Sequence, residues 1–220
     1  LPPLLGVVLA VVLGAPQVNQ TPPIFHPGAP GADTREITPA EAVELSRTSF
    51  TPGDVQFLQH MLIHHGQAIE MVALLEVQGS SLQIKRLGQR IALSQEAEMD
   101  LMRNWLTERG QPLAMSDMHA GHMAGMSHAM PMRSPGDTAL MPGMLTPNQM
   151  TALADAEGPA FDRLFLQGMI QHHQGALDMV SALMTQPNAA QDPMLSDFAT
   201  SVVADQSAEI LRMQSILSEL

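Results

Sequence analysis

Phe57-Leu-Gln-His-Met-Leu-Ile-His-His-Gly-Gln-Ala-Ile-Glu-Met71 returns further along the chain as Phe165-Leu-Gln-Gly-Met-Ile-Gln-His-His-Gln-Gly-Ala-Leu-Asp-Met179. The two copies align without a gap from the first Phe to the last Met. In both, a Met stands three residues before a His-His pair and another stands six residues after it. At about 100° per residue, Phe57, Leu58, Met61, His64, His65, Ala68, Met71, Val72 and Leu75 fall on one arc of a helix, with Glu70 opposite. The second copy places Met169, His172, His173, Ala176, Met179 and Val180 alike. Both His-His pairs are therefore expected on the apolar, core-facing stripe of a long helix.

The repeat extends outward from these helices. Thr38-Pro-Ala-Glu41 and Thr146-Pro-Asn-Gln149, separated by the same offset as the His-His motifs, are helix starts. The hydroxyl caps, Pro suits the first helical position, and the fourth residue can close a capping box. After Thr38 a short helix is expected to about Arg47. Thr51-Pro-Gly-Asp54 opens the first His-His helix, which should run to about Val77 and stop at Gly79. Ser80 or Ser81 opens the next, which should end at Glu108 before Gly110 and Pro112. The second copy predicts a long helix from about Ala160 to Met184, a loop over Gln186–Pro193, and a last helix to Leu220. The partner helices carry Gln95-Glu-Ala-Glu98 with Met102, and Gln206-Ser-Ala-Glu209 with Met213, at a slightly longer offset. Each set shares one face of its helix. Two helix pairs related by duplication predict an all-α fold, a four-helix bundle with approximate twofold symmetry.

Composition supports helices. A core of Leu, Ala, Val, Ile and Met, with six Phe, one Trp and no Tyr, suits them better than sheets. The net charge of −12, with a single lysine at Lys85, argues against a nucleic-acid partner, because phosphate binding needs a basic face. There are 18 methionines and no cysteine. Thioethers suit Cu(I) and form no disulfides, so Met and His without Cys fits soft-metal binding in an oxidising compartment.

Residues 1–15, LPPLLGVVLAVVLGA, match the apolar part of a secretory signal ending near Ala15, or else an anchor; they are the one expected membrane contact. Residues 16–37 read as a tether with little structure. Residues 38–110 form the first helical repeat, 111–145 a linker and 146–220 the second repeat. The linker contains AMSDMHAGHMAGMSHAMPM at 114–132, followed by Met141-Pro-Gly-Met144. It lacks a helical stripe and reads as mobile, low-complexity sequence. Its Met115, Met118, His119, His122, Met123, Met126, His128, Met130 and Met132 read as a soft-metal scavenger, against compositional drift as the plainer account.

Burying four histidines, two glutamates and two glutamines is costly unless they are paired or ligated. The plainer reading is a satisfied polar layer in which Glu98 and Glu209 accept hydrogen bonds from the histidines of their own copies. The reading preferred for the duplicated set is a metal site. Met61, His64, His65, Met71 and Met102 would supply donors in one copy, and Met169, His172, His173, Met179 and Met213 in the other. Gln95, Glu98, Gln206 and Glu209 would support the ligating rings. Whether the copies build two sites or one shared site stays open. Met150, Met184 and Met194 are read as packing or chance.

The pattern Met-x-x-His-His-x-x-Ala-[Ile/Leu]-x-Met, followed by Gln-x-x-Glu-[Ile/Met]-x-x-Met, resembles the DUF305 family of exported bacterial proteins. The match runs over Met61–Met71 with Gln95–Met102, and over Met169–Met179 with Gln206–Met213. The resemblance implies a ferritin-like four-helix fold. It also implies, through the CopM-type branch, copper and silver binding outside the cytoplasm. Many family motifs carry a His three or four residues before the pair. His60 stands there in the first copy, at the edge of the apolar arc, but Gly168 stands there in the second.

The expected function is that of a periplasmic or otherwise exported Cu(I)- or Ag(I)-binding protein that sequesters, buffers or delivers copper. Its partners would be metal ions and other copper-handling periplasmic proteins, and no enzyme activity is expected. Two alternatives stand beside it. A ferritin-like di-metal oxidase would need about four core carboxylates in Glu-x-x-His spacing; only Glu98 and Glu209 face inward. A structural bundle would use its histidine layer to set register.

Overall fold

The computed structural model describes residues 22–27, 31, 33–46, 49–114 and 138–220. The expectations for residues 1–15 and for the Met/His run at 115–132 fall outside the described residues. The chain divides into two compact units, Leu1–Arg47 and Thr48–Leu220.

The first unit holds β1 (Ile24–His26), β2 (Arg35–Ile37) and α1 (Pro39–Ser46). β1 and β2 pair antiparallel, with Ile24 opposite Ile37. The sequence predicts only a tether before α1, because three-residue strands are too short to show an alternating pattern. Thr38 and Glu41 close the capping box ahead of α1: Glu41 N donates to Thr38 Oγ1, and Thr38 N donates to Glu41 Oε2.

The second unit holds α2 (Pro52–Gln78), α3 (Leu82–Glu108), α4 (Pro147–Asp155), α5 (Gly158–Met184) and α6 (Pro193–Ser218). The fold is all-α, as the duplicated helical pattern predicts. Thr51, Ser81, Thr146 and Asp192 each accept a backbone N–H at a helix start. These caps satisfy donors that the helix leaves without intrahelical partners. α2 packs on α3, α5 on α6, and α2 on α5.

Two apolar cores lie along this array. The first takes Leu58 and Met61 of α2, Met102 and Trp105 of α3, Met179 and Leu183 of α5, and Leu195 and Phe198 of α6. The second takes Met71 and Leu75 of α2, Ile84 and Ile91 of α3, Phe165 and Met169 of α5, and Ile210 and Met213 of α6. The start of α2 thus meets the end of α5, so the two His-His helices run antiparallel. Between the cores, on every helix, lie the polar residues of the repeat.

Each copy locks the loop of the other. Asp54, fully buried, accepts from Thr51 N of its own helix start and from Ala190 N in the α5–α6 loop. Ala190 has φ +53°, a left-handed conformation that a residue with a Cβ rarely adopts unless held. Asp162, the counterpart of Asp54 in the second copy, accepts from Ser80 N at 3.1 Å, Ser80 Oγ at 2.5 Å and Ser81 N at 2.9 Å. These bonds fix the α2–α3 loop at the positive end of α3.

Candidate metal centre

His64, His65, His172 and His173 are all fully buried and meet in the layer between the cores. The rings of His64 and His172 lie face to face, with centroids 3.8 Å apart and planes tilted by 38°. Antiparallel packing of identical motifs brings the equivalent histidines together at the middle of the α2–α5 contact.

One nitrogen of every ring is accounted for. His65 Nε2–H donates to Glu98 Oε2 at 2.6 Å, and His173 Nε2–H donates to Glu209 Oε2 at 2.6 Å. Each bond stays within its own copy, as the plainer sequence reading expects of these glutamates. His64 Nε2–H donates to the carbonyl of Pro142 at 2.9 Å, and His172 Nε2–H to the carbonyl of His64 at 2.8 Å. A carbonyl only accepts, so in His64 and His172 the proton sits on Nε2 and Nδ1 carries a bare lone pair. Nδ1 of all four rings is buried with no hydrogen-bond partner among the described residues. The amides of Gln95 and Gln206, each about 2% exposed, are likewise unpartnered at both atoms.

Eight orphaned polar atoms in one layer are an unusual cost for a folded chain. Burial drives the His64 imidazolium down to about 4. Burial, then repulsion from His64 and His173, puts His172 well below its ordinary value. Both rings are therefore neutral at pH 7, the state in which imidazole ligates a metal.

The sign of the linked pH effect follows. With His64 near 4 in the folded state and 6.5 as reference, the unfolded chain binds more protons between those values. Stability is full above about 6.5 and falls as pH drops toward 4, by on the order of 3 kcal/mol for this group alone. Urea unfolding of the metal-free protein at pH 7.5 and pH 5 should show the loss. Equal stability at the two values would contradict the burial of a neutral His64.

The sulfurs flank this layer. Met61, Met71, Met102, Met169 and Met213 are fully buried, and Met179 is nearly so. The copies exchange their second methionine: Met179 joins Met61 and Met102, while Met71 joins Met169 and Met213. The sequence grouping of Met61 with Met71 is corrected here, because the antiparallel helices send the end of each copy into the core of the other. Glu70 and Asp178 are exposed, and His60 sits half-buried at the margin. Met150 and Met194 pack against the cores from partly buried positions, whereas Met184 is 49% exposed.

Among the described residues no three His, Asp or Glu groups converge as a metal-binding cluster. The buried donors without hydrogen-bond partners among the described residues are imidazole nitrogens, in a layer between two cores that bury thioethers, and that donor chemistry fits a soft monovalent ion.

One element escapes the sequence reading. Met141–Leu145 is a strap laid across the two His-His helices, not part of a mobile linker. Met141, Met144 and Leu145 are buried, and Pro142 carries the carbonyl that holds His64. Gln67 clamps the strap: its Nε2 donates to Leu145 O, and its Oε1 accepts from Leu145 N. The position equivalent to Gln67 in the second copy is Gly175, where a Cβ would collide with Pro142 and Gly143. Gly143 itself turns with φ +74°. The strap also explains Gly168. A Cβ there would meet Leu145 at 3.0 Å and Met71 at 3.1 Å, so the His of the first copy has no room in the second. Two helix glycines facing a Met-Pro-Gly-Met segment were the available signal for close approach. At the other end of the expected linker, Gln59 Nε2 donates to Pro112 O at 2.7 Å.

Fold and site together define a duplicated all-α protein with a buried histidine layer flanked by thioethers. The chain belongs to the DUF305 family, a domain of unknown function whose profile matches residues 54–217. The structure is similar to a DUF305 fragment from Deinococcus radiodurans, at 30% identity and TM-score 0.60, covering 78% of this chain and 99% of that one. A DUF305 protein from Streptomyces coelicolor, described as a candidate secreted protein, matches at 28% identity and TM-score 0.61, covering 76% and 93%. CopM in its Cu(I)-bound form matches at 26% identity and TM-score 0.55, covering 78% of this chain and 98% of that one. CopM has also been solved with Cu(II), with Ag and in the apo form. Uncharacterized protein L153 of Acanthamoeba polyphaga mimivirus is 38% identical over 58 residues. That match spans about a third of its length (36%) and 26% of this chain.

Proposed function

We propose that this protein binds Cu(I), and Ag(I) as its analogue, through the buried Met/His layer, and that it sequesters or hands on copper outside the cytoplasm. The observation that carries this reading is the set of four buried imidazoles whose Nε2 atoms are all engaged and whose Nδ1 atoms all lack a hydrogen-bond partner among the described residues. Holding the outer nitrogen of a ligating ring by a carboxylate or carbonyl fixes its tautomer and aims the other nitrogen. The structural likeness to CopM, which has been solved with copper and silver, supports the same ion class. Export rests on the apolar run at residues 1–15, and it agrees with the candidate secreted relative. Binding without catalysis is preferred because the carboxylates a di-metal oxidase would need, Glu70 and Asp178, are exposed.

The rival reading is a register-setting polar layer. It is favoured by the 2.6 Å bonds of His65 to Glu98 and His173 to Glu209. Anaerobic Cu(I) titration against a competing chelator separates the two. The metal reading expects substitution of Met61 and Met169 by leucine to weaken the tightest sites by about tenfold or more, with the fold intact because Leu for Met nearly conserves volume. Unchanged affinity in that variant would leave the polar-layer reading standing.

A further inference from the structure

We infer that the two ends of the histidine layer are unequal metal sites, and that the end reached by the strap takes a soft monovalent ion first. The inference rests on the copper-binding reading and adds two ligands to it, Met141 and Met144.

Duplication alone would give matched ends, Met61, Met102 and Met179 against Met169, Met213 and Met71. The strap breaks the match. It inserts Met141 and Met144, 8% and 7% exposed, into the first core, and Leu145, 5% exposed, into the second. The first core therefore buries five thioethers and the second three. The partner helices tilt the balance further. Met99 of α3 packs on the first core, and its counterpart in α6, Ile210, lines the second.

The strap also breaks the symmetry of the histidines. His172 donates to the His64 carbonyl on the opposite helix. His64 does not return the bond to the His172 carbonyl; it donates to Pro142, between the two added methionines. One short segment thus brings two sulfurs and fixes one imidazole. Gly175 makes room for it, and Gln67 anchors its end. Leucine would fill the apolar space at 141 and 144 equally well, whereas thioethers on flexible side chains can also turn sulfur toward an ion. Cu(I) and Ag(I) prefer the end with more soft donors.

The test uses the full chain labelled with 13C at the methionine ε-methyl groups and titrated with Ag(I), which is redox-inert. The methyls of Met61, Met102, Met141, Met144 and Met179 should shift in an earlier equivalent than those of Met71, Met169 and Met213. In the Met141→Leu/Met144→Leu variant the separation between the two sets should shrink, with the first core losing about tenfold in affinity. If the eight methyls shift together in the wild type, or if Met141 and Met144 stay still while the others move, the inequality is wrong and the copper reading survives. If none of the eight responds, both fail.

Discussion

Replacing His172 by leucine should weaken Cu(I) binding on the order of 100-fold, roughly 3 kcal/mol, while leaving the metal-free protein at least as stable. The two halves of this expectation come from one geometry. His172 is fully buried, its Nδ1 has no partner among the described residues, and its Nε2 donates to the His64 carbonyl. That carbonyl lies inside α2 and keeps its helical partner when the imidazole is removed. The substitution gives up one hydrogen bond, worth about 1 kcal/mol, and removes an orphaned nitrogen whose burial costs about as much or more. The corresponding change at His64 is different, because Pro142 would lose its donor and the strap its tie. His64→Leu should therefore lower stability as well as affinity. Unfolding and chelator competition on the two variants check the pair. If His172→Leu unfolds the protein far more easily and leaves Cu(I) affinity alone, the layer is structural.

Asp162→Ala should cost roughly 3–5 kcal/mol, the largest loss expected from a single residue outside the layer. Asp162 is 2% exposed and accepts three hydrogen bonds from Ser80 and Ser81. Alanine would leave two backbone N–H groups without acceptors at the start of α3 and remove negative charge from the positive end of that helix. Asn, which keeps one acceptor, should recover part of the loss. Denaturant unfolding measures both. A change below about 1 kcal/mol for Asp162→Ala would mean that the loop is held by something else. No residue of the metal layer is involved, so Cu(I) affinity should hold wherever the variant is folded.

Much of this architecture is legible in the chain because duplication and helical period agree. Thr51 and Ser81 cap where the sequence places them, and the wheel puts His64, His65, His172 and His173 inside. A wheel gives a face but not which end of one helix meets which end of another. The exchange of Met71 and Met179 between the copies therefore emerges only when α2 and α5 are seen to run antiparallel. The strap is illegible for a different reason. Met141-Pro-Gly-Met144 has no period, and its place is set by backbone approach to Gly175 and by one glutamine, Gln67. The ring nitrogen that stays bare is also beyond the sequence, since it depends on which acceptors face Nε2.

15N spectra of this chain labelled at histidine test that bare nitrogen directly. The apo form should show His64 and His172 as Nε2–H tautomers. Addition of Ag(I) should shift Nδ1 of the buried histidines while their Nε2–H signals persist. Shifts confined to His119, His122 and His128, with the four buried rings unmoved, would mean that the buried layer does not hold the ion.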